Sequence, residues 1–365
     1  MTHTPTNPGP VDLAELERAE LQAAFAARGI AAYHGSQVFT WIHKRGVADF
    51  GAMTDLSRPL RATLADAFTV RTPALDRVDT STDGTTKFLL TLEDGRHIES
   101  VYIPDTPAQT FCVSTQVGCA MACAFCLTGK MGLVRHLSAG EIAGQVRVLA
   151  HHTGLAGSAF NIVLMGMGEP LHNYDATMKA LRILADPQGL DVHPKRVTLS
   201  TVGLLPALER LASEPLMPNL AISLHATTDA TRDALVPLNK RYDLAALFEA
   251  CRKFPLNRRA RITFEYVMLE GVNDTPDDAR RLARLLANMR AKVNLLPLNE
   301  APGIPFSRPS DDRVNAFARI LAERGIRVSV RKSRGRDIRA ACGQLLVEGM
   351  KPSPAQRVAA RLATP

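Results

Sequence analysis

Three cysteines fall within eight residues, Cys119, Cys123 and Cys126, in the run CAMACAFC. Thiolates at this CxxxCxxC spacing can converge on one metal centre, and they leave one coordination position without an obvious protein ligand. A structural zinc site wants four protein ligands, whereas a 4Fe–4S cluster held by three thiolates keeps one iron open to a reactant. The spacing therefore favours a reactive iron–sulfur centre. The alternative is zinc, with Cys112 as fourth ligand upstream, in a non-catalytic RNA-binding protein.

Other chemistry-bearing residues sit at the ends of short apolar runs. The sequence GMGEP places Gly168 beside Glu169, where a backbone can approach a ligand closely and a carboxylate can supply charge. Ser200, Ser223-Leu224-His225 and Asn299 close three further runs. Near the C-terminus, Arg331, Lys332, Arg334, Arg336 and Arg339 surround Cys342, a patch suited to phosphates. These cations are expected to lower the Cys342 thiol pKa. Cys251, on an amphipathic stretch, reads as buried packing. Glu99 lies on a strand and by itself reads as an ordinary exposed residue.

The elements that must position these groups are α/β. Strands are expected over 111–114, 161–165, 196–201, 220–223, 261–268, 292–296 and 327–330, and helices over 139–151, 175–185, 244–253, 277–288 and 311–322. That alternation predicts a parallel sheet with right-handed crossovers, a full or partial β/α barrel whose reactive groups gather at the carboxyl ends of the strands. The cysteine loop follows the first of these strands. Ahead of it, strands over 86–92 and 97–103, joined at Asp94-Gly95 and stopped by Pro104, predict a β-hairpin. Helices over 13–25, 37–44 and 59–68 predict a small N-terminal helical unit with Trp41 as its core anchor. The domain reading is a helical accessory domain over 1–75 with its first ~12 residues disordered, a hairpin extension over 76–108, a barrel over 109–330, and a C-terminal segment over 331–365.

Composition sets the setting. The 365 residues are 46% hydrophobic, enough to fill a core, and carry 44 Lys and Arg against 36 Asp and Glu. The resulting +8 charge is compatible with a polyanionic partner. The polar, proline-rich start is neither a secretory nor a transit signal, and no apolar run approaches the ~18 residues of a membrane span. Six cysteines, three of them clustered, fit metal or redox use in a reducing compartment, which points to the cytoplasm.

Taken in order, CVSTQVGCAMACAFCLTGK, GMGEPLHN, RVTLSTVG, AISLHA, VPLNK, EYVMLEGVND and RGRDIRAACGQL resemble the RlmN/Cfr family of radical S-adenosylmethionine (SAM) RNA methyltransferases, across about residues 20–345. The resemblance is greatest to the RlmN branch. It implies a partial barrel of radical-SAM type and methylation of adenine C2 in 23S rRNA near the peptidyl-transferase centre. It also implies methylation of the adenosine 3′ of the anticodon in tRNA. A Cfr-like C8 methyltransferase shares the same machinery and is the alternative.

By matching motif, Cys119, Cys123 and Cys126 would hold the cluster, and Gly168, Glu169, Ser200, Ser223, Leu224, His225 and Asn299 would position SAM, partly through backbone groups. Cys342 would carry a methyl group as S-methylcysteine, Cys112 would resolve the adduct through a transient disulfide, and Glu99 would accept a proton. Two SAM molecules per turnover and a cellular electron donor such as flavodoxin are implied, with no membrane and no obligate protein partner. The chain departs from the family pattern at Leu133, His136, Val202 and Leu298. None of these changes removes a proposed chemical group.

Overall fold

The computed structural model describes residues 10–106, 108–257 and 260–347. Ten strands form one sheet: β1 (Ala74–Thr80), β2 (Thr86–Thr91), β3 (His97–Thr106), β4 (Ala108–Cys112), β5 (Asn161–Leu164), β6 (Val197–Thr201), β7 (Asn219–Ser223), β8 (Ile262–Met268), β9 (Ala291–Pro297) and β10 (Arg327–Val330). Their order across the sheet is their order in the chain. From β4 to β10 every neighbouring pair is parallel, while β1 to β4 pair antiparallel. The parallel part is the partial barrel expected from the β/α alternation, and the antiparallel part extends one side of it.

The crossover helices begin where local chemistry lets them. Ser138 caps helix Ala139–His152 and exchanges reciprocal bonds with Glu141, while Thr275 and Asp278 do the same for helix Pro276–Leu285. Their inner faces pack with fully buried strand residues such as Leu199, Ile222, Phe264 and Val293 into one continuous core.

The N-terminal region joins that core through polar contacts as well as apolar ones. Glu15 Oε2 accepts the Gly140 N–H at 2.8 Å, and Glu15 also bonds the Ser138 hydroxyl, so the N-terminal region completes the first turn of a barrel helix. On the same helix, buried Arg147 donates to the Arg71 carbonyl (3.1 Å) and to Thr72 Oγ1 (2.7 Å). Trp41 is buried, and its indole N–H donates to Asp55 at 2.5 Å.

Some expectations are corrected. Val11–Asp12, expected in a disordered leader, pair in parallel with Phe68–Thr69; residues 1–9 and 348–365 lie outside the described residues. The helix expected over 13–25 is two pieces, Leu13–Glu15 and Arg18–Ala26, because Leu16 turns extended between them. The third strand runs past Pro104 to Thr106, its pairing with β4 shifting register between Ile103 and Thr106, which accommodates the missing N–H. Strand β1 was not anticipated, since it is largely exposed and carries no apolar alternation. Among the described residues no helix is long and apolar enough to cross a membrane.

Candidate active site

The cysteine loop leaves the carboxyl end of β4 as a small hairpin in which Gln116–Cys119 pairs antiparallel with Gly132–His136. Cys123, Cys126 and the short helix Leu127–Met131 lie between its arms. The hairpin closes only because Gly118 takes φ +77°: a Cβ there would stand 1.9 Å from the Gly132 carbonyl oxygen. Cys119, Cys123 and Cys126 all line one cavity. Burial pushes all three thiols above the usual range, and the neighbouring sulfur raises Cys119 and Cys123 further.

That chemistry fits an iron–sulfur cluster. Three buried thiolates would repel one another, and a bound cationic centre reverses the balance by deprotonating its ligands outright. Among the described residues no three His, Cys, Asp or Glu side chains close around a single ion point. Cys112 lines a different cavity, so it is not the fourth ligand that the zinc alternative needs.

The remaining walls of the first cavity come from successive strand ends. Gly166, Gly168 and Glu169 follow β5, Ser200 lies in β6, Ser223 and His225 lie in and after β7, Glu265 lies in β8, and Asn299 follows β9. Gly168 has φ +108°, and a Cβ there would meet the Gln116 backbone nitrogen at 2.8 Å. Ser200 and Ser223, on neighbouring strands, bring their hydroxyls to 3.2 Å. Asn299 donates to the Cys342 carbonyl at 3.3 Å, while its buried Oδ1 has no protein partner and is available to a ligand donor.

Glu169 does more than supply charge. Its Oε1 accepts the Leu171 N–H (3.0 Å) and its Oε2 the Val202 N–H (2.9 Å), which clamps the loop after β5 to the loop after β6. Burial nevertheless raises its pKa to about 7, against those two stabilising bonds. His225 has φ +61° and accepts the Val267 N–H through Nδ1 at 3.1 Å; burial, then Arg232, pull its pKa down to about 3, so the ring is neutral. Phe125 of the cysteine loop packs edge-on against it. Leu224, between Ser223 and His225, is buried; its N–H donates to the Glu265 carbonyl, and its own carbonyl accepts from Arg232.

Cys342 stands between two cavities and lines both. The segment carrying it is fixed to the cysteine loop, with Leu127 N–H donating to the Gly343 carbonyl (2.8 Å) and Thr128 Oγ1 to the Leu345 carbonyl (2.7 Å). In the second cavity Cys342 meets Cys112, beside Arg331, Lys332 and Arg334. Both thiols are free, as are all six cysteines.

The expected lowering of the Cys342 pKa is not found. Although its side chain is open to the cavities, dense protein around the sulfur raises the pKa; Arg331 opposes this and Glu265 adds to it. Cys112 is raised further, by burial and then by Cys342.

Glu99 is not the exposed strand residue its position suggested. It is buried, its Oε1 lies 3.0 Å from the Lys87 ammonium, and its Oε2 accepts the Leu346 N–H at 2.9 Å. It borders a third cavity, which Gln344, Leu346 and Val347 of the segment after Cys342 also line.

Several site residues gave no signal in the sequence. Arg232, fully buried, donates to the Leu224 and Val202 carbonyls and to Asn239 Oδ1, and so fixes the ends of β6 and β7. Gln116 accepts the Glu169 N–H (2.8 Å) through Oε1, and its Nε2 lies 3.0 Å from His136 and 3.1 Å from His172. A polar residue in a loop or on a helix looks the same in sequence whether water or a backbone carbonyl satisfies it.

This arrangement, an open-ligand cysteine loop at the mouth of a parallel partial barrel, defines a radical-SAM enzyme, and the family model for the radical SAM superfamily matches residues 113–286. The model for the ribosomal RNA large subunit methyltransferase N-terminal domain matches residues 11–70. Relatives include the dual-specificity RNA methyltransferases RlmN of Anaeromyxobacter dehalogenans, 47% identical over 96% of both chains, and of Geobacter sulfurreducens, 46% identical over 94% of this chain and 95% of that one. A solved radical SAM methyltransferase from Sphaerobacter thermophilus superposes with a TM-score of 0.88 at 47% identity, covering 92% of this chain and 99% of that one. The chain belongs to the RlmN family of radical-SAM RNA methyltransferases.

Proposed function

We propose that the protein methylates C2 of an adenosine in 23S rRNA, in the peptidyl-transferase region, and of the adenosine 3′ of the anticodon in tRNAs, consuming two SAM molecules per turnover. The observation that carries this reading is the position of Cys342, shared between a cavity lined by the cluster-loop cysteines and one containing a second thiol and a basic rim. A group bound to its sulfur faces the SAM side and the RNA side together. The names of the relatives support the C2 branch over C8 chemistry.

In this reading Cys119, Cys123 and Cys126 hold the cluster, and Gly168, Glu169, Ser200, Ser223, Leu224, His225 and Asn299 position SAM, partly through backbone groups. When bound, cluster and SAM supply the one-electron chemistry that removes hydrogen from a methyl group. The protein does the rest. Cys342 takes a methyl group from one SAM by ordinary displacement, losing its thiol proton.

The carbon would later bridge the Cys342 sulfur to adenine C2; the odd electron of that adduct would return to the bound cluster, and Glu99 would take the C2 proton as the ring regains aromaticity. Cys112, as thiolate, then attacks the Cys342 sulfur. The S–S bond forms, the S–CH2 bond breaks, and its electron pair passes to the methylene carbon, which takes up a proton to become the product methyl. A cellular reductant reopens the transient disulfide. An electron donor such as flavodoxin and the reducing cytoplasm complete the setting.

Arg331, Lys332 and Arg334 rim the second cavity and suit the phosphates of an RNA whose target base is turned out of its stack. The test is mass spectrometry of nucleosides from rRNA and tRNA after anaerobic reaction with reconstituted enzyme and methyl-labelled SAM. Labelled 2-methyladenosine is the expected product, and 8-methyladenosine or no labelled nucleoside overturns the reading.

A further inference from the structure

Across the antiparallel part of the sheet, Arg77 on β1 stands opposite Leu89 on β2, which stands opposite Glu99 on β3; one step along, Asp79 stands opposite Lys87. Side chains two residues apart share a strand face, so Lys87 lies diagonally beside Glu99, within reach of a long side chain. Residues 337–339, Gln344, Leu346 and Val347 line the third cavity over this face. Lys87 and Glu99 are only 7% and 2% exposed, and their 3.0 Å ion pair is therefore screened little by water.

We propose that Lys87 is the positioning residue for proton transfer: its ammonium, 3.0 Å from one Glu99 oxygen, favours the anionic carboxylate and holds it against the segment that carries Cys342, whose Leu346 N–H meets the other oxygen. This rests on the assignment of Glu99 as acceptor of the adenine C2 proton. The step is a proton transfer, in which the C2–H bond gives its proton to the Glu99 carboxylate and its electron pair to the ring. An acceptor already protonated cannot perform it.

The other groups facing the pair do not replace Lys87. On β1, Arg77 holds Asp79 at 3.1 Å, and the attraction of Arg77 for Glu99 is weaker than that of Lys87. On β3, His97 lies 3.8 Å from Asp76. From the C-terminal segment come Asp337, bonded to Ser81, and Arg339, together with the Leu346 N–H on the second Glu99 oxygen. Burial pushes the Glu99 pKa up, and Lys87 is the largest influence holding it down.

The experiment compares wild type, Lys87→Met, Lys87→Arg and Glu99→Gln in single-turnover reactions with methyl-labelled SAM, from low to high pH. S-methylation of Cys342, which precedes the proton transfer, is read by intact-protein mass and serves as the folding control. Removing a cation at this distance shifts a carboxyl pKa by about 1–3 units. The Lys87→Met profile for methylated product should move upward by about that much, with rates approaching wild type at high pH and Lys87→Arg restoring the original profile. Infrared difference spectra of the metal-free protein against Glu99→Gln should show the carboxylic acid band titrating at higher pH in Lys87→Met. An unshifted profile and band in Lys87→Met, with Glu99→Gln blocked, overturns the role of Lys87. Wild-type product release by Glu99→Gln instead overturns the assignment of Glu99.

Discussion

The backbone N–H of Leu127 donates to the Gly343 carbonyl at 2.8 Å, tying the residue after the last cluster-loop cysteine to the residue after Cys342. Two segments more than 200 residues apart in the chain thus share one frame, and Thr128 Oγ1 to the Leu345 carbonyl repeats the tie at 2.7 Å. Any movement of the cluster loop moves the thiol with it.

Thr128→Val keeps the shape and removes the second tie, leaving a buried carbonyl without its donor at a cost of about 1–3 kcal/mol. Iron content should match wild type while S-methylation of Cys342 slows by about tenfold or more, the rate equivalent of roughly 1.4 kcal/mol. Intact-mass time courses read the difference, and equal time courses would show that the ties do not position Cys342.

Gly118→Ala forces a Cβ into the Gly132 carbonyl oxygen, which is backbone and cannot turn aside. The hairpin that carries Cys119 should open. Far-ultraviolet circular dichroism should remain close to wild type, because the ten-stranded sheet is untouched, while iron and sulfide per chain after reconstitution fall severalfold.

Glu169 gives a pH signature to the metal-free protein. Its folded pKa of about 7 lies above the ordinary value of 4.5, so between these limits the folded state binds the proton more tightly than the unfolded state. Its contribution is therefore complete below pH about 4.5, declines as pH rises through about 7, and is flat above, with a span of order 3 kcal/mol. Urea unfolding at pH 5 and 8 should show this loss in wild type. Glu169→Gln should lack it, and should be less stable at both pH values because its amide nitrogen cannot accept from a backbone N–H.

Cys112→Ala removes the thiol that faces Cys342 in the second cavity. Methylated Cys342 should still form and RNA should still become attached, but release should stall. The expected result is a nuclease-resistant mass on the Cys342 peptide and methylated nucleoside below about 1% of wild type. In wild type, release should speed up as pH rises, since burial keeps the Cys112 thiol protonated at neutral pH.

Much of this architecture was legible because it is local. Strands β5 to β9 are rich in apolar residues and largely buried, as strands covered on both faces are, while β10 at the sheet edge is mostly exposed, and the intervening helices carry the complementary periodicity. The cysteine loop was legible because its three candidate ligands lie within eight residues. What escaped depends on distant chain. Glu99 reads as exposed until the segment 247 residues later closes over it. The cations near Cys342 in sequence suggested a lowered thiol pKa, but the desolvation that outweighs them comes from packing. Arg232 bonds mainly to backbone carbonyls, which every sequence possesses, and Gln116 bonds one backbone N–H and two histidines that lie 20 and 56 residues away in the chain.

Glu15, capping the barrel helix from the N-terminal side, has a mechanical consequence. A tethered appendage would let its cargo wander relative to the catalytic mouth. Here the cap, the Arg147 contacts and a shared apolar core weld the two regions together. The N-terminal region is thus part of the same frame as the catalytic mouth, and its surface keeps a set distance from Cys342.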